Sequence, residues 1–186
     1  GDNLPVVDLG TGSTAKAIAA GSNHTCAILD NASIKCWGAN ASGQLGIANT
    51  NNRGDQSSEM GDSLPAIDLG SGRTATAITA GNQHTCAILD NASIKCWGAN
   101  ASGQLGIGDT NNRGDESSEM GDTLPAVDLG SGRTAKVIVA GGSHTCTILD
   151  DSSIKCWGEN DQGQLGLGST TDSLNASVVD MGSGIT

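Results

Sequence analysis

His24-Thr25-Cys26-Ala27-Ile28-Leu29, then Asp30-Asn31-Ala32, then Ser33-Ile34-Lys35-Cys36-Trp37-Gly38, is the stretch on which the fold turns. Two short β-prone runs flank a polar connection of the kind that joins antiparallel strands. Pairing Leu29 with Ser33 sets Ile28 opposite Ile34 and Cys26 opposite Cys36. In a non-hydrogen-bonded antiparallel pair the facing Cα atoms lie about 4.5 Å apart, within reach of a disulfide. Side chains alternate along a strand, so Cys26, Ile28, Ile34 and Cys36 share one face, and that face is the packed one.

Outward from the hairpin, the same residues return every sixty positions: His24 as His84 and His144, Cys26 as Cys86 and Cys146, Trp37 as Trp97 and Trp157. Upstream of each hairpin lies a further β-prone run between glycines, Ala15–Ala20 in the first copy, and no i, i+3, i+4 stripe argues for helix. Leu4-Pro5-Val6-Val7-Asp8-Leu9 opens the first copy as another short run, its Pro tolerated at a strand start. The units run over residues 1–60, 61–120 and 121–173. Residues 174–186 read as the start of a fourth unit that pairs with the next unit or chain, because Val178-Val179-Asp180-Met181-Gly182-Ser183-Gly184 repeats Val6-Val7-Asp8-Leu9-Gly10-Thr11-Gly12.

The six Cys fall two per unit and never as C-x-x-C, which argues against zinc ribbons and thioredoxin-type redox sites. The periodic pairing joins Cys26 to Cys36, Cys86 to Cys96 and Cys146 to Cys156. A competing pairing joins Cys36 to Cys86 and Cys96 to Cys146 and leaves Cys26 and Cys156 for neighbouring chains. A disulfide framework implies an oxidising, extracellular setting. Each short bridged loop contributes roughly 2–3 kcal/mol, which matters in a chain with no Phe, no Tyr and 3 Trp. Asn-x-Ser/Thr acceptors stand at Asn23, Asn31, Asn40, Asn91, Asn100 and Asn175, candidates for N-linked glycans.

With 28 Gly but 3 Pro the chain reads as rich in tight turns, not as collagen or a proline-rich linker. A net charge of −11 with 9 scattered Lys and Arg argues against a nucleic-acid partner. No apolar run reaches membrane-spanning length, so no membrane insertion is expected. With neither a cationic leader nor an initiator Met, the sequence reads as a mature product or an excised segment.

The acidic stretch Asn51 to Asp62 recurs at 111–122 and is missing from the third copy, which marks it as an insertion on a surface loop. It fails as a calcium loop, with Arg113 at the fifth position and Met120 where the bidentate Glu belongs. A weak divalent-cation site built from Asp115, Glu116, Glu119 and Asp122 is the one cofactor reading left. Arg53-Gly54-Asp55 and Arg113-Gly114-Asp115 spell a cell-adhesion tripeptide inside it. His24 and its copies either converge on a metal or, the favoured reading, satisfy backbone groups at a sheet edge. His24 and Cys26 lack the third, orienting group of a catalytic thiol, so no enzyme is expected.

Gly21-x-x-His24-Thr25-Cys26-Ala27-Ile28, Ile34-x-Cys36-Trp37-Gly38-x-Asn40 and Gly43-Gln44-Leu45-Gly46 together resemble the repeat of the regulator-of-chromosome-condensation family. The pattern returns through Gly81, His84, Trp97, Asn100 and Gly103-Gln104-Leu105-Gly106, and through Gly141, His144, Trp157, Asn160 and Gly163-Gln164-Leu165-Gly166. The resemblance implies an all-β array of four-stranded antiparallel β-propeller blades, seven to a ring in the family, with the His, Trp and Gly-Gln-Leu-Gly positions used for packing and turns. This chain departs in having three units, in carrying Ala32, Ala92 and Ser152 where the family has a turn Gly, and in its acidic charge. The nucleotide-exchange activity of the founding member is therefore not carried over.

Three blades leave two open flanks, so the expected partners are copies of itself, arranged head to tail in a filament or a larger propeller. The leading functional expectation is an extracellular, glycosylated, self-assembling structural protein. The second is a secreted recognition or adhesion module for a protein or glycan partner.

Overall fold

A computed structural model describes residues 5–182 of the chain. Each repeat folds as an antiparallel sheet. β1 (Ala15–Ala20), β2 (His24–Leu29) and β3 (Ile34–Gly38) form the first, and β4 (Ala75–Ala80), β5 (His84–Leu89) and β6 (Ile94–Gly98) the second. β7 (Ala135–Ala140), β8 (His144–Leu149), β9 (Ile154–Gly158) and β10 (Ser173–Val178) form the third. The hairpin register is the one expected, with Cys26 facing Cys36 and Ile28 facing Ile34, and it recurs in the other two copies.

All three disulfides form within repeats, at Cα separations of 4.1 Å, so the competing pairing between repeats is not formed. The connection closes with Ala32, Ala92 and Ser152 in left-handed conformation, at φ 62°, 61° and 69°. There the Ala32 N–H donates to the Leu29 carbonyl and the Leu29 N–H to the Ser33 carbonyl. A three-residue hairpin of this kind requires a left-handed residue, and a Cβ there costs about 1 kcal/mol.

Among the described residues only the third sheet has a continuous fourth strand, and the reason is the insertion. In the first repeat the outer strand touches β3 once at the Gly38–Arg53 bridge, leaves it, passes through the single 3-10 turn Gly61–Ser63, and returns where the Ile67 N–H donates to the Ile34 carbonyl. The second repeat does the same through Arg113, Gly121–Thr123 and Val127. Without the insertion, β10 runs along β9 from Ser173 opposite Gly158 to Val178 opposite Lys155. In place of the expected pairing with a next unit or chain, Ser173–Val178 pairs with β9 of the third repeat, and the Val179 N–H donates to the Ile154 carbonyl as Ile67 and Val127 do to Ile34 and Ile94. Residues 183–186 of the expected fourth unit lie outside the described residues.

The core lies between repeats. One apolar cluster joins Cys26, Ile28, Ile34, Cys36 and Leu45 of the first to Ala75, Ala87, Leu89 and Trp97 of the second. Another joins Cys86, Ile88, Ile94, Cys96 and Leu105 of the second to Ala135, Ile138, Leu149 and Trp157 of the third. The alanines of β4 leave room for the neighbouring sheets, and each fully buried Leu or Ile contributes roughly 1.5–3 kcal/mol.

Candidate functional site

The residues that repeat most strictly meet at the joints. Gln44 lies in the Gly43-Gln44-Leu45-Gly46 loop, whose shape is fixed by buried Asn40: its Oδ1 accepts from the Leu45 N–H, and its Nδ2 donates to the carbonyls of Asn49 and Asn51. The loop presents the Gln44 carbonyl to the next repeat. There the Thr85 hydroxyl donates to it at 2.9 Å and the Trp97 indole N–H at 3.1 Å. The Thr85 hydroxyl has then used its one proton, so it accepts from His24 Nε2 at 2.9 Å. The second joint repeats the arrangement with His84, Thr145, Gln104 and Trp157.

That chain of donors puts a proton on Nε2 of His24 and His84, whose buried Nδ1 has no hydrogen-bond partner among the described residues. Burial pushes both imidazoles down to about 4, and for His84 the neighbouring His24 and His144 push the same way. The rings are packed against Gly21 and Gly81, where an added Cβ would strike the ring itself. Gly46 and Gly106 sit under the tryptophans, with a Cβ position 2.8 Å and 2.7 Å from the indole nitrogen. The expectation that these histidines serve backbone groups at a sheet edge is corrected: each bonds a threonine side chain of the following repeat. Sequence spacing alone does not reveal this, because a periodic His looks the same whether it serves its own unit or the next.

The insertion is also more than a surface loop. Met120 is buried in the first joint, and Gly114 and Asp115 pack on the backbone of Gly43 in the previous repeat. Lys95 is buried and donates to the carbonyls of Leu69 and Gly121, as Lys35 does to Leu9 and Gly61. Burial holds the Lys95 ammonium below the ordinary lysine range, against the pull of Asp122 and Asp68. Asp62 and Asp122 tie the end of each insertion to the Thr11 and Ser71 turns, whose hydroxyls and N–H groups lower both carboxyls.

These ties disperse the proposed cation ligands. Glu119 accepts from the N–H groups of Gly114 and Glu116, Asp122 is held by Ser71, and among the described residues no three His, Cys, Asp or Glu side chains gather as a metal site. Arg53-Gly54-Asp55 lies on a surface depression of about 410 Å³ with Asn51, Gln56 and Glu59, whereas Gly114 of the second tripeptide is buried in a joint. Asn23, Asn31, Asn91 and Asn175 are exposed. Asn40 and Asn100 are fully buried, Nδ2 of Asn40 donating to the carbonyls of Asn49 and Asn51 and Nδ2 of Asn100 to the carbonyl and carboxylate of Asp109, so the expectation of glycans on these two is corrected.

The third repeat shows the same face without a cover. Val137, Val139 and Ile148 are 46%, 56% and 38% exposed, and with Cys146, Thr147 and Ile154 they line an apolar depression of about 200 Å³.

Two descriptions of the regulator of chromosome condensation (RCC1) repeat match the chain, one over residues 15–44, 75–104 and 136–164, the other over 36–88 and 96–148. The probable E3 ubiquitin-protein ligase HERC6 of Homo sapiens is 29% identical over 150 residues, 81% of this chain and 13% of that protein. The ultraviolet-B receptor UVR8 of Arabidopsis thaliana is 28% identical over 160 residues, 86% of this chain and 32% of the receptor. The chain therefore spans a third or less of the length of these relatives. Among solved structures, Prp20p of Saccharomyces cerevisiae superimposes with a TM-score of 0.70 at 20% identity, over 89% of this chain and 38% of Prp20p. A second structure, of yeast RCC1 (Prp20) bound to Kap60, gives 0.67 at 18%, over 89% and 37%.

Proposed function

The chain belongs to the RCC1 repeat family, and from that membership we propose that it works as an extracellular, non-catalytic protein-binding scaffold whose partners include copies of itself. One observation carries the reading. The His, Thr, Trp and Gln of the joints and all six Cys are committed to holding repeat to repeat or strand to strand. Surface shape is what is left to recognise a partner, and the exposed part of the first insertion, with Arg53, Asp55 and Gln56, lines a polar concavity.

The solved relatives support protein binding: one is yeast Prp20 bound to Kap60, and Prp20p binds Gsp1p and histones. Three disulfides support an oxidising, extracellular setting. Among the described residues no helix is long and apolar enough to cross a membrane. In that setting Asn23, Asn31, Asn91 and Asn175 are the accessible acceptors for N-linked glycans. The uncovered face of the third repeat supports the self-assembling, structural side of the reading, as a fibre or a larger propeller array.

The test compares the chain with a variant whose first insertion is shortened to the length found in the third repeat. Quantitative cross-linking in the fluid where the protein resides should find a stoichiometric protein partner that the variant loses. A bound set identical for both chains, or no bound protein at all, overturns the reading.

A further inference from the structure

The two flanks of the array are halves of the joint already formed twice within it. On one side lie the apolar face of β8 and β9, His144 without a threonine, and the Gln164 carbonyl without a threonine or an indole donor among the described residues. On the other side lie Thr25 and Trp37, half-buried, whose counterparts Thr85, Thr145, Trp97 and Trp157 are buried at the joints. Ile18 stands 68% exposed on that side, where its counterpart Ile138 is buried. The two existing joints agree to within 0.2 Å in each of their shared hydrogen bonds: His–Thr 2.9 and 2.9 Å, Thr–Gln 2.9 and 3.0 Å, Trp–Gln 3.1 and 2.9 Å. One geometric step therefore relates each repeat to the next.

We propose that the third repeat binds the first repeat of a second copy of this chain through that same step. His144 donates to the second copy's Thr25, and the second copy's Trp37 donates to the Gln164 carbonyl. Val137, Val139, Ile148 and Ile154 pack under its β1 and β2. The second copy's repeat carries the insertion, so the contact follows the first joint: its Gly54 and Asp55 lie on Gly163, as Gly114 and Asp115 lie on Gly43. The space beside Gly163 is open, the nearest atom to a Cβ there being the Ser169 carbonyl oxygen at 4.0 Å.

One element is duplicated at such a contact. Val179 already holds the Ile154 carbonyl, the place where the second copy's Val7 would bond by analogy with Ile67 on Ile34. The second copy's Val6 and Val7 therefore stay off the sheet, as they do here, 93% and 48% exposed. The contact is heterologous, so assembly continues until a ring closes or a filament grows.

The inference rests on the reading of the chain as a scaffold that binds its own copies. Sedimentation velocity of the full chain across a concentration series tests it, together with Val139→Glu, which charges one flank, and Ile18→Glu, which charges the other. Both side chains are more than half exposed in the single chain, so neither variant disturbs the fold. The expected result is a mass that rises past the dimer for the parent chain. Each variant alone should weaken association at least about tenfold. The two variants mixed should form a one-to-one dimer and nothing larger, since each keeps one good flank. Assembly insensitive to both variants overturns this docking and leaves self-binding standing; a chain that stays monomeric throughout overturns both.

Discussion

The second and third repeats carry nearly the same residues and live in different surroundings. Ile88 is 4% exposed under the third repeat, while Ile148 at the same position is 38% exposed. His84 is buried against Thr145, while His144 is half-buried and makes no such bond. Inside each hairpin nothing has changed: register, disulfide and left-handed turn are the same. The repeated pattern thus holds two kinds of residue, those that shape a blade and those that join it to the next. Only the second kind depends on position in the array.

The contrast breaks most sharply at tryptophan. Trp97→Ala removes a fully buried ring and its bond to Gln44, and should cost about 3–5 kcal/mol in urea denaturation. Trp37→Ala, at the open flank, should cost well under half of that.

Acid separates the joints next. His24 and His84 have pKa values lowered to about 4 in the folded chain, against about 6.5 unfolded. Between these limits the unfolded chain binds more protons, so stability is full above pH 6.5 and falls as the pH drops toward 4. The loss is on the order of 3 kcal/mol per histidine once both limits are passed. His84→Gln should flatten that slope in denaturant titrations at stepped pH.

The disulfides sharpen the comparison through kinetics. Removing Cys86–Cys96 or Cys146–Cys156 by paired Ser substitution should cost about 2–3 kcal/mol in either repeat, since the loops are equal. Under mild reductant, alkylation followed by mass spectrometry should find Cys146–Cys156 opened first, because no following repeat covers it. The smallest effect belongs to the turn, where position does not matter. Ala32→Gly, Ala92→Gly and Ser152→Gly should each stabilise by about 1 kcal/mol, in thermal unfolding, to the same extent in all three repeats.

The hairpin was legible in the sequence because every force that makes it is local. Alternation, a polar turn and two facing Cys allow one register that buries the apolar face, and Cys26–Cys36 follows from it. The outer strand was harder to read. Its residues lie on both sides of the insertion, Arg53 and Ile67 in the first repeat, and only the fold shows them meeting the same β3. Asn40 and Asn100 match a glycan acceptor by their neighbours in sequence, yet their amides are buried by contacts 9 and 11 residues away.

What the sequence by itself determined is the blade: three copies, their strands, their bridges and the turn that closes each hairpin. Contacts within about fifteen residues suffice for that, and they repeat whenever the residues do. What only the tertiary structure decided is which side of each blade receives the next. His24 finds Thr85 and Trp97 finds Gln44 across sixty-one and fifty-three positions. A period in sequence gives the step from one copy to the next, but packing gives its direction in space.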